Sequence, residues 1–431
     1  MPLHGPSSRN SPSWSRHTRS TRSEEIAVGT TELCAHGTAF TYPNDTSTLS
    51  VPYIYKWGIR WSLEIAFLAG LYPLVTAPLS VMRVAFTAVL ASVAILDVSA
   101  APSLLMKLVA PESVTDVDSF SITAIVTNTG TETLKLLNDP RSVLSSDEAY
   151  TFSIINEKGS PEFTGMFFKY SPNYVVKNNN PADFTILAPG QTYELTHNLA
   201  GVYNFTNTGA GEFKVDAMNV FQYVDASGEP ATIEATTESK KVSITGKLVS
   251  TRNLPRVEPQ TLSKRVAYVG CTAARQQQIA AAVRSAIAYV SESTAYLNRI
   301  RSGTPRYTTW FGAYNAGRLQ IVRSHFTLIS VDPLSTTYDC TCTRNVFASV
   351  NAGRAGYMYL CNYFWPAPNT GTDSKAGTIV HEQSHFRVNG GTEDFVYGQG
   401  RAKNLARTNP AQAIMNADNH EYFAENTPRL A

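Results

Sequence analysis

Residues 371–398 read Gly-Thr-Asp-Ser-Lys-Ala-Gly-Thr-Ile-Val-His-Glu-Gln-Ser-His-Phe-Arg-Val-Asn-Gly-Gly-Thr-Glu-Asp-Phe-Val-Tyr-Gly, and the fold expected of the C-terminal part of the chain hangs on them. Thr372, Asp373 and Ser374 offer N-cap oxygens, and Ala376, Ile379, Val380 and Phe386 supply an apolar side. Gly390-Gly391 offers a stop, where positive φ costs little. A helix between these signals carries His381 and His385 on one face, one turn apart, so both imidazoles can reach a single metal ion. Glu382 falls where a carboxylate can hold a water at that metal and take its proton. The reversal at the glycines brings later residues back toward the metal, and Asp394 is the first strong ligand among them. This layout points to a zinc peptidase. The plainer reading of the same residues is an amphipathic helix with two half-exposed histidines.

The chain has 431 residues, too many for one ordinary domain, so two folded units plus processing segments are expected. A formal charge of +2 is nearly balanced and gives no reason to expect a nucleic-acid partner. The five cysteines are Cys34, then Cys271, Cys340, Cys342 and Cys361. The last four suit two disulfides in a small secreted domain; a cysteine zinc site is disfavoured because Cys340-Thr341-Cys342 is tighter than the usual knuckle spacing.

Met82 opens a basic start and an apolar core that leads to Ser99-Ala100-Ala101, which reads as a signal peptide over 82–100 cleaved after Ala100. Residues 1–81 are then an extension that is non-native or disordered; residues 1–23 are rich in Ser and Arg and show no apolar periodicity. A membrane anchor formed by 62–81 running into 84–96 is disfavoured, because Glu64, Pro73, Pro78 and Arg83 interrupt it. The expected location is extracellular.

Residues 101–248 consist of short alternating runs separated by turn residues. In the first, Phe120, Ile122, Ala124 and Val126 alternate with polar residues up to Asn128-Thr129-Gly130. About seven such strands suggest an all-β, immunoglobulin-like sandwich. Asn204-Phe205-Thr206 is a glycosylation sequon. The linker 249–265 ends in Lys264-Arg265, a cut site for a dibasic processing protease, so 101–265 reads as a removable propeptide. In 266–431, Ile279, Val283, Ile287, Val290, Thr294 and Leu297 form an apolar stripe that predicts a helix over 272–299. A second helix is expected across 307–328 and strands across 337–362, giving a mainly α unit with a small sheet.

These residues resemble the deuterolysin or aspzincin zinc metallopeptidases, and among them the fungal peptidyl-Lys metalloendopeptidases. The resemblance is carried by His381-Glu382-x-x-His385, Gly391-Thr392-Glu393-Asp394-Phe395-Val396-Tyr397-Gly398 and Asn416-Ala417-Asp418-Asn419-His420-Glu421-Tyr422-Phe423. Arg306 to Gly312 and Asp339-Cys340-Thr341-Cys342 add to it, so it spans nearly all of 266–431. It implies one zinc held by His381, His385 and Asp394, Glu382 as general base, and Tyr397 as donor to the developing oxyanion, provided its segment is helical.

Asp418 stays open between third ligand in place of Asp394, partner of a histidine, and acid of a substrate pocket. The Lys-specific members favour the pocket role, with Glu421 three residues on and both on one helical face. The resemblance also implies the pairings Cys271–Cys340 and Cys342–Cys361. Residues 266–431 contain two lysines, Lys375 and Lys403, against thirteen arginines, a skew that suits a protease cutting beside lysine. A monomer acting on protein or peptide substrates, with its own propeptide as a partner, is expected. A broader endopeptidase and a secreted zinc-binding or interaction protein without turnover are the alternatives.

Overall fold

The computed structural model describes residues 102–250 and 266–431, which belong to one compact unit, Ala94–Ala431. The expected signal peptide, the 1–81 extension, Cys34 and the Lys264-Arg265 pair lie outside the described residues.

Residues 102–250 are sheet-rich. A seven-stranded sheet runs, edge to edge, through Phe184–Leu187, Leu134–Leu137, Val220–Val224, Pro230–Thr237, Leu104–Val109, Ser121–Asn128 and Thr192–Asn198. A four-stranded sheet runs through Ser113–Asp116, Lys240–Lys247, Gly211–Ala217 and Phe152–Ile155. One apolar core joins them, with Met106, Ile122 and Val126 of the first sheet and Phe213, Val242 and Ile244 of the second. Ser121–Asn128 alternates as expected, burying Ile122, Ala124 and Val126.

Leu104–Val109 was not legible as a strand. Its solvent face carries Leu105 and Val109, 44% and 48% exposed, so the sequence shows no alternation there. The all-β expectation also needs one correction. Pro172–Asn178 is a helix, started by Ser171, whose hydroxyl accepts from the Tyr174 amide, and closed by Asn179 at φ 51°.

In 266–431, helix Ala273–Arg299 is capped by Thr272 and buries Ile279, Val283, Ala286, Val290 and Leu297. The single helix expected over 307–328 is two, Pro305–Phe311 and Ala316–Ile329. They part at Gly312, which has φ 76° and sits so close to the next layer that a Cβ would lie 2.2 Å from the Ala406 carbonyl oxygen. Trp310, Phe311, Leu319, Val322 and Phe326 are buried as core. Cysteines pair as Cys271–Cys340 and Cys342–Cys361.

The small sheet has the order Ala267–Val269, Thr337–Asp339, Tyr357–Leu360 and Ala348–Val350, the last antiparallel to its neighbour. Its fifth strand, Phe167–Lys169, comes from the N-terminal, sheet-rich part and pairs antiparallel with Ala348–Val350. Among the described residues no helix is long and apolar enough to cross a membrane.

Candidate active site

Helix Lys375–His385 starts at Ser374, whose hydroxyl accepts from the Gly377 amide, and is buried along its whole length. Glu425, on the C-terminal helix Ala417–Glu425, accepts from the Ser374 amide and hydroxyl at 2.9 and 2.8 Å, which fixes the start of the first helix against the second. After His385 the chain turns around the Phe386 carbonyl, which accepts from the amides of Asn389, Gly390 and Gly391. Gly391 takes φ 57°, and the Thr392 amide returns to the Ser384 carbonyl at 3.1 Å.

The segment that follows pairs with the approach to the last helix: the Glu393 amide donates to Met415 O and the Ala417 amide to Glu393 O. Asn416 Oδ1 accepts from the Phe395 and Val396 amides. Residues 394–397 and 416–421 are thereby delivered to the histidine helix together. Tyr397 sits in the extended segment before helix Gln399–Thr408, not on a helix, because the Asn416 contacts hold the 395–396 backbone open.

Asp394 Oδ1 lies 3.2 Å from His381 Nε2 and 3.5 Å from His385 Nε2. His385 Nδ1 is 2.8 Å from the Thr392 carbonyl oxygen, which can only accept, so the ring hydrogen is there and Nε2 faces Asp394. His381 Nδ1 is 3.0 Å from Asp418 Oδ1 and 3.1 Å from Glu421 Oε2, which likewise leaves Nε2 toward Asp394. Burial alone would raise the Asp394 pKa, but the two histidines outweigh it and hold that carboxyl well below the usual range. Against the effect of burial, Asp394, Asp418 and Glu421 hold His381 well above its ordinary pKa, so a metal at Nε2 must compete with a proton.

The Nε2 atoms of both histidines, Asp394 Oδ1, Glu382 Oε2 and the Tyr397 hydroxyl are all buried, and none has a hydrogen-bond partner. Each such atom costs roughly 1–3 kcal/mol if left unmet. Three of them, the two Nε2 atoms and Asp394 Oδ1, lie within 4.8 Å of one another, as a cradle for a cation would leave them, and two imidazoles with one carboxylate are the donor set of a catalytic zinc site. Burial pushes Glu382 up to about 8. Tyr397 is pushed well above its usual range by burial, and the Arg141 guanidinium stacks 4.0 Å over its ring.

Beside this cradle lies an acidic pocket. Asp373 Oδ1, Asp418 Oδ1 and Glu421 Oε2 stand 3.0, 3.3 and 2.8 Å from one atom, Lys169 Nζ, whose side chain is fully buried. Burial would lower the Lys169 pKa, but Asp418 and Glu421, with Tyr422 and Asp373, raise it well above the ordinary value. The Gly398 amide holds Asp418 Oδ2 at 2.6 Å, and Tyr422 donates to Asp373 Oδ1 at 2.8 Å. The Lys169 amide donates to Glu382 Oε1 at 2.8 Å.

The structure thus brings together His381, Glu382, His385, Asp394, Tyr397, Asp418 and Glu421. Sequence reasoning missed three participants. Asp373 stood in the quoted stretch as a helix cap, but Ser374 makes the cap, and Asp373 at φ 51° turns into the pocket. Arg141 donates to the Asp394 carbonyl and pairs with Asp139 at 3.1 Å. Lys169 is the third, and nothing local in Phe167-Phe168-Lys169 marks it.

The family described as Lysine-specific metallo-endopeptidase, Aspzincin_M35, matches residues 296–425. The "Peptidyl-Lys metalloendopeptidase" of Grifola frondosa is 48% identical over 335 residues, covering 77% of this chain and 95% of that protein. The protein of the same name from Armillaria mellea is 46% identical over 335 residues, covering 77% and 94%. An "Extracellular protease" of Aeromonas hydrophila is 35% identical over 318 residues, covering 72% and 89%. The chain belongs to the aspzincin family of zinc metalloendopeptidases.

Proposed function

We propose that the chain is the precursor of a secreted zinc endopeptidase that hydrolyses peptide bonds on the amino side of lysine. The observation that carries this reading is the lysine already seated beside Glu382: an ammonium held by Asp418 and Glu421, with its own backbone amide 2.8 Å from Glu382 Oε1. In a substrate, that nitrogen would be the leaving amine.

His381, His385 and Asp394 would hold the zinc, which when bound would supply Lewis acidity for the scissile carbonyl and the attacking water. Asp418 and Glu421, at His381 Nδ1, would keep its Nε2 available to the metal as well as lining the pocket. Glu382 takes the proton of the attacking water and passes it to the leaving amine, the group its Oε1 already touches. A carboxyl whose pKa is raised by burial suits that exchange. The Tyr397 hydroxyl donates to the carbonyl oxygen as negative charge develops.

A P1′-randomised peptide library tests the reading. Lysine should be preferred by at least a hundredfold in kcat/KM, about 2.7 kcal/mol, because each charge-assisted contact is worth more than a neutral one. Comparable cleavage before Arg, Ala and Leu would instead support a broader endopeptidase.

The remaining features are read as a maturation path: a signal peptide at 82–100, an immunoglobulin-like sandwich propeptide to 248, and a cut after Lys264-Arg265 by a dibasic processing protease, releasing a monomer. Secretion accords with the extracellular relative. The N-terminal sequence of the secreted enzyme should begin at Val266, and any other start overturns the processing claim.

A further inference from the structure

The Phe167–Lys169 segment lies along the edge of the small sheet, with Lys169 opposite Ala348, Phe168 opposite Ser349 and Phe167 opposite Val350. The Phe347 amide extends the pairing by donating to Lys169 O at 2.9 Å. An extended peptide added to a free sheet edge gains main-chain hydrogen bonds whatever its sequence, and its specificity comes from side-chain pockets.

Here the pockets are those of the candidate active site. The Phe167 ring stacks on His385 at a centroid distance of 4.5 Å. The Phe168 amide donates to Asp394 Oδ2 at 3.2 Å. Lys169 fills the acidic pocket, and Ser171, two residues on, donates through its hydroxyl to Asp373 Oδ2 at 2.7 Å. The strand is braced from behind by Asn351, whose side-chain amide donates to the carbonyls of Thr164 and Gly165 at 2.7 and 3.1 Å.

We infer that Phe167–Lys169 is a built-in substrate-like occupant that keeps the precursor latent by placing Lys169 in the lysine pocket, and that Asp373 is a third carboxylate of that pocket. The inference rests on the lysine-pocket reading above. Asp418 and Glu421 are fully buried, and the Asp373 side chain, at the pocket's edge, is 15% exposed. Two buried carboxylates with a third at their edge need a cation among them, and the precursor supplies its own. A substrate lysine can enter once this one has left, so the prodomain and substrate compete for one site.

The test uses the full chain in a Glu382→Gln background, loaded with zinc and cut after Lys264-Arg265 by a dibasic-specific protease, so that neither piece is digested. The Kd between the two pieces is read by analytical ultracentrifugation. Lys169→Met keeps the apolar stem and removes the charge; it should weaken association at least about a hundredfold, the scale of removing one partner from a buried ion pair. Lys169→Arg should recover part of that loss. A peptide with lysine at P1′ should displace the native fragment, and the same peptide with methionine there should not.

The latch is overturned if the native and Met complexes have the same Kd, if Arg behaves as Met does, or if the two peptides compete equally. A mature enzyme with no P1′ lysine preference overturns the pocket reading, and the latch with it. Lysine preference combined with equal Kd values overturns the latch alone.

Discussion

Replacing Glu382 by Gln in the mature enzyme should lower kcat by about 10²–10⁴-fold, the range that a positioned general base contributes. KM should change by only a few-fold and zinc should remain bound at one per chain. Glu382 Oε1 accepts a backbone amide, a bond that the Gln oxygen preserves, so substrate placement survives. What disappears is the buried Oε2, which has no partner and is the atom free to take a proton. Zinc content is the internal control, since Glu382 is not among the three groups whose unpartnered atoms converge, His381, His385 and Asp394. Loss of zinc with the activity would make Glu382 a ligand. Activity retained within tenfold would remove it as the base. Equal inactivity of wild type and variant after removal of the propeptide would favour a zinc-binding protein without turnover.

The parts of the site legible in the sequence are those that local rules position. The histidine helix has its cap, apolar face and glycine stop within residues 374–391, so its geometry follows from spacing. Asp394 follows from the turn those glycines make. Asp418 and Glu421 share a face of Ala417–Glu425, as three-residue spacing requires.

What remained hidden depends on partners distant in sequence. Glu382 and the Lys169 amide that it accepts are 213 residues apart, and a buried lysine is the least expected of residues until its three carboxylates are in place. Asp373 was read as a cap because its neighbours are cap residues; its backbone conformation, which no spacing rule gives, sends it elsewhere. Gly312 was passed over because Trp310, Phe311, Leu319 and Val322 keep helical period across it. What breaks the helix is the Ala406 carbonyl of a helix about 90 residues later.

The acidic cluster around Lys169 sets the second large effect. Changing Asp373 to Asn and Glu421 to Gln together keeps the size and most of the hydrogen bonds of the pocket but removes two of its three charges. Truncating one partner of a buried charge pair costs roughly 2–5 kcal/mol, and Asp418 still offers partial compensation, so about 4 kcal/mol is expected for the double change. That corresponds to about a thousandfold loss in kcat/KM for peptides with lysine at P1′.

Peptides with alanine at P1′ should change by no more than a few-fold, since they leave no charge to compensate. This split separates pocket electrostatics from damage to the metal centre, which would lower both substrates together. Asp418, 3.0 Å from His381 Nδ1, still orients that ligand in the variant, so zinc content should hold. A parallel fall for lysine and alanine substrates would mean that these acids act on the metal through His381, and not on the substrate. An unchanged lysine preference would leave Asp418 as the sole determinant and remove Asp373 from the pocket.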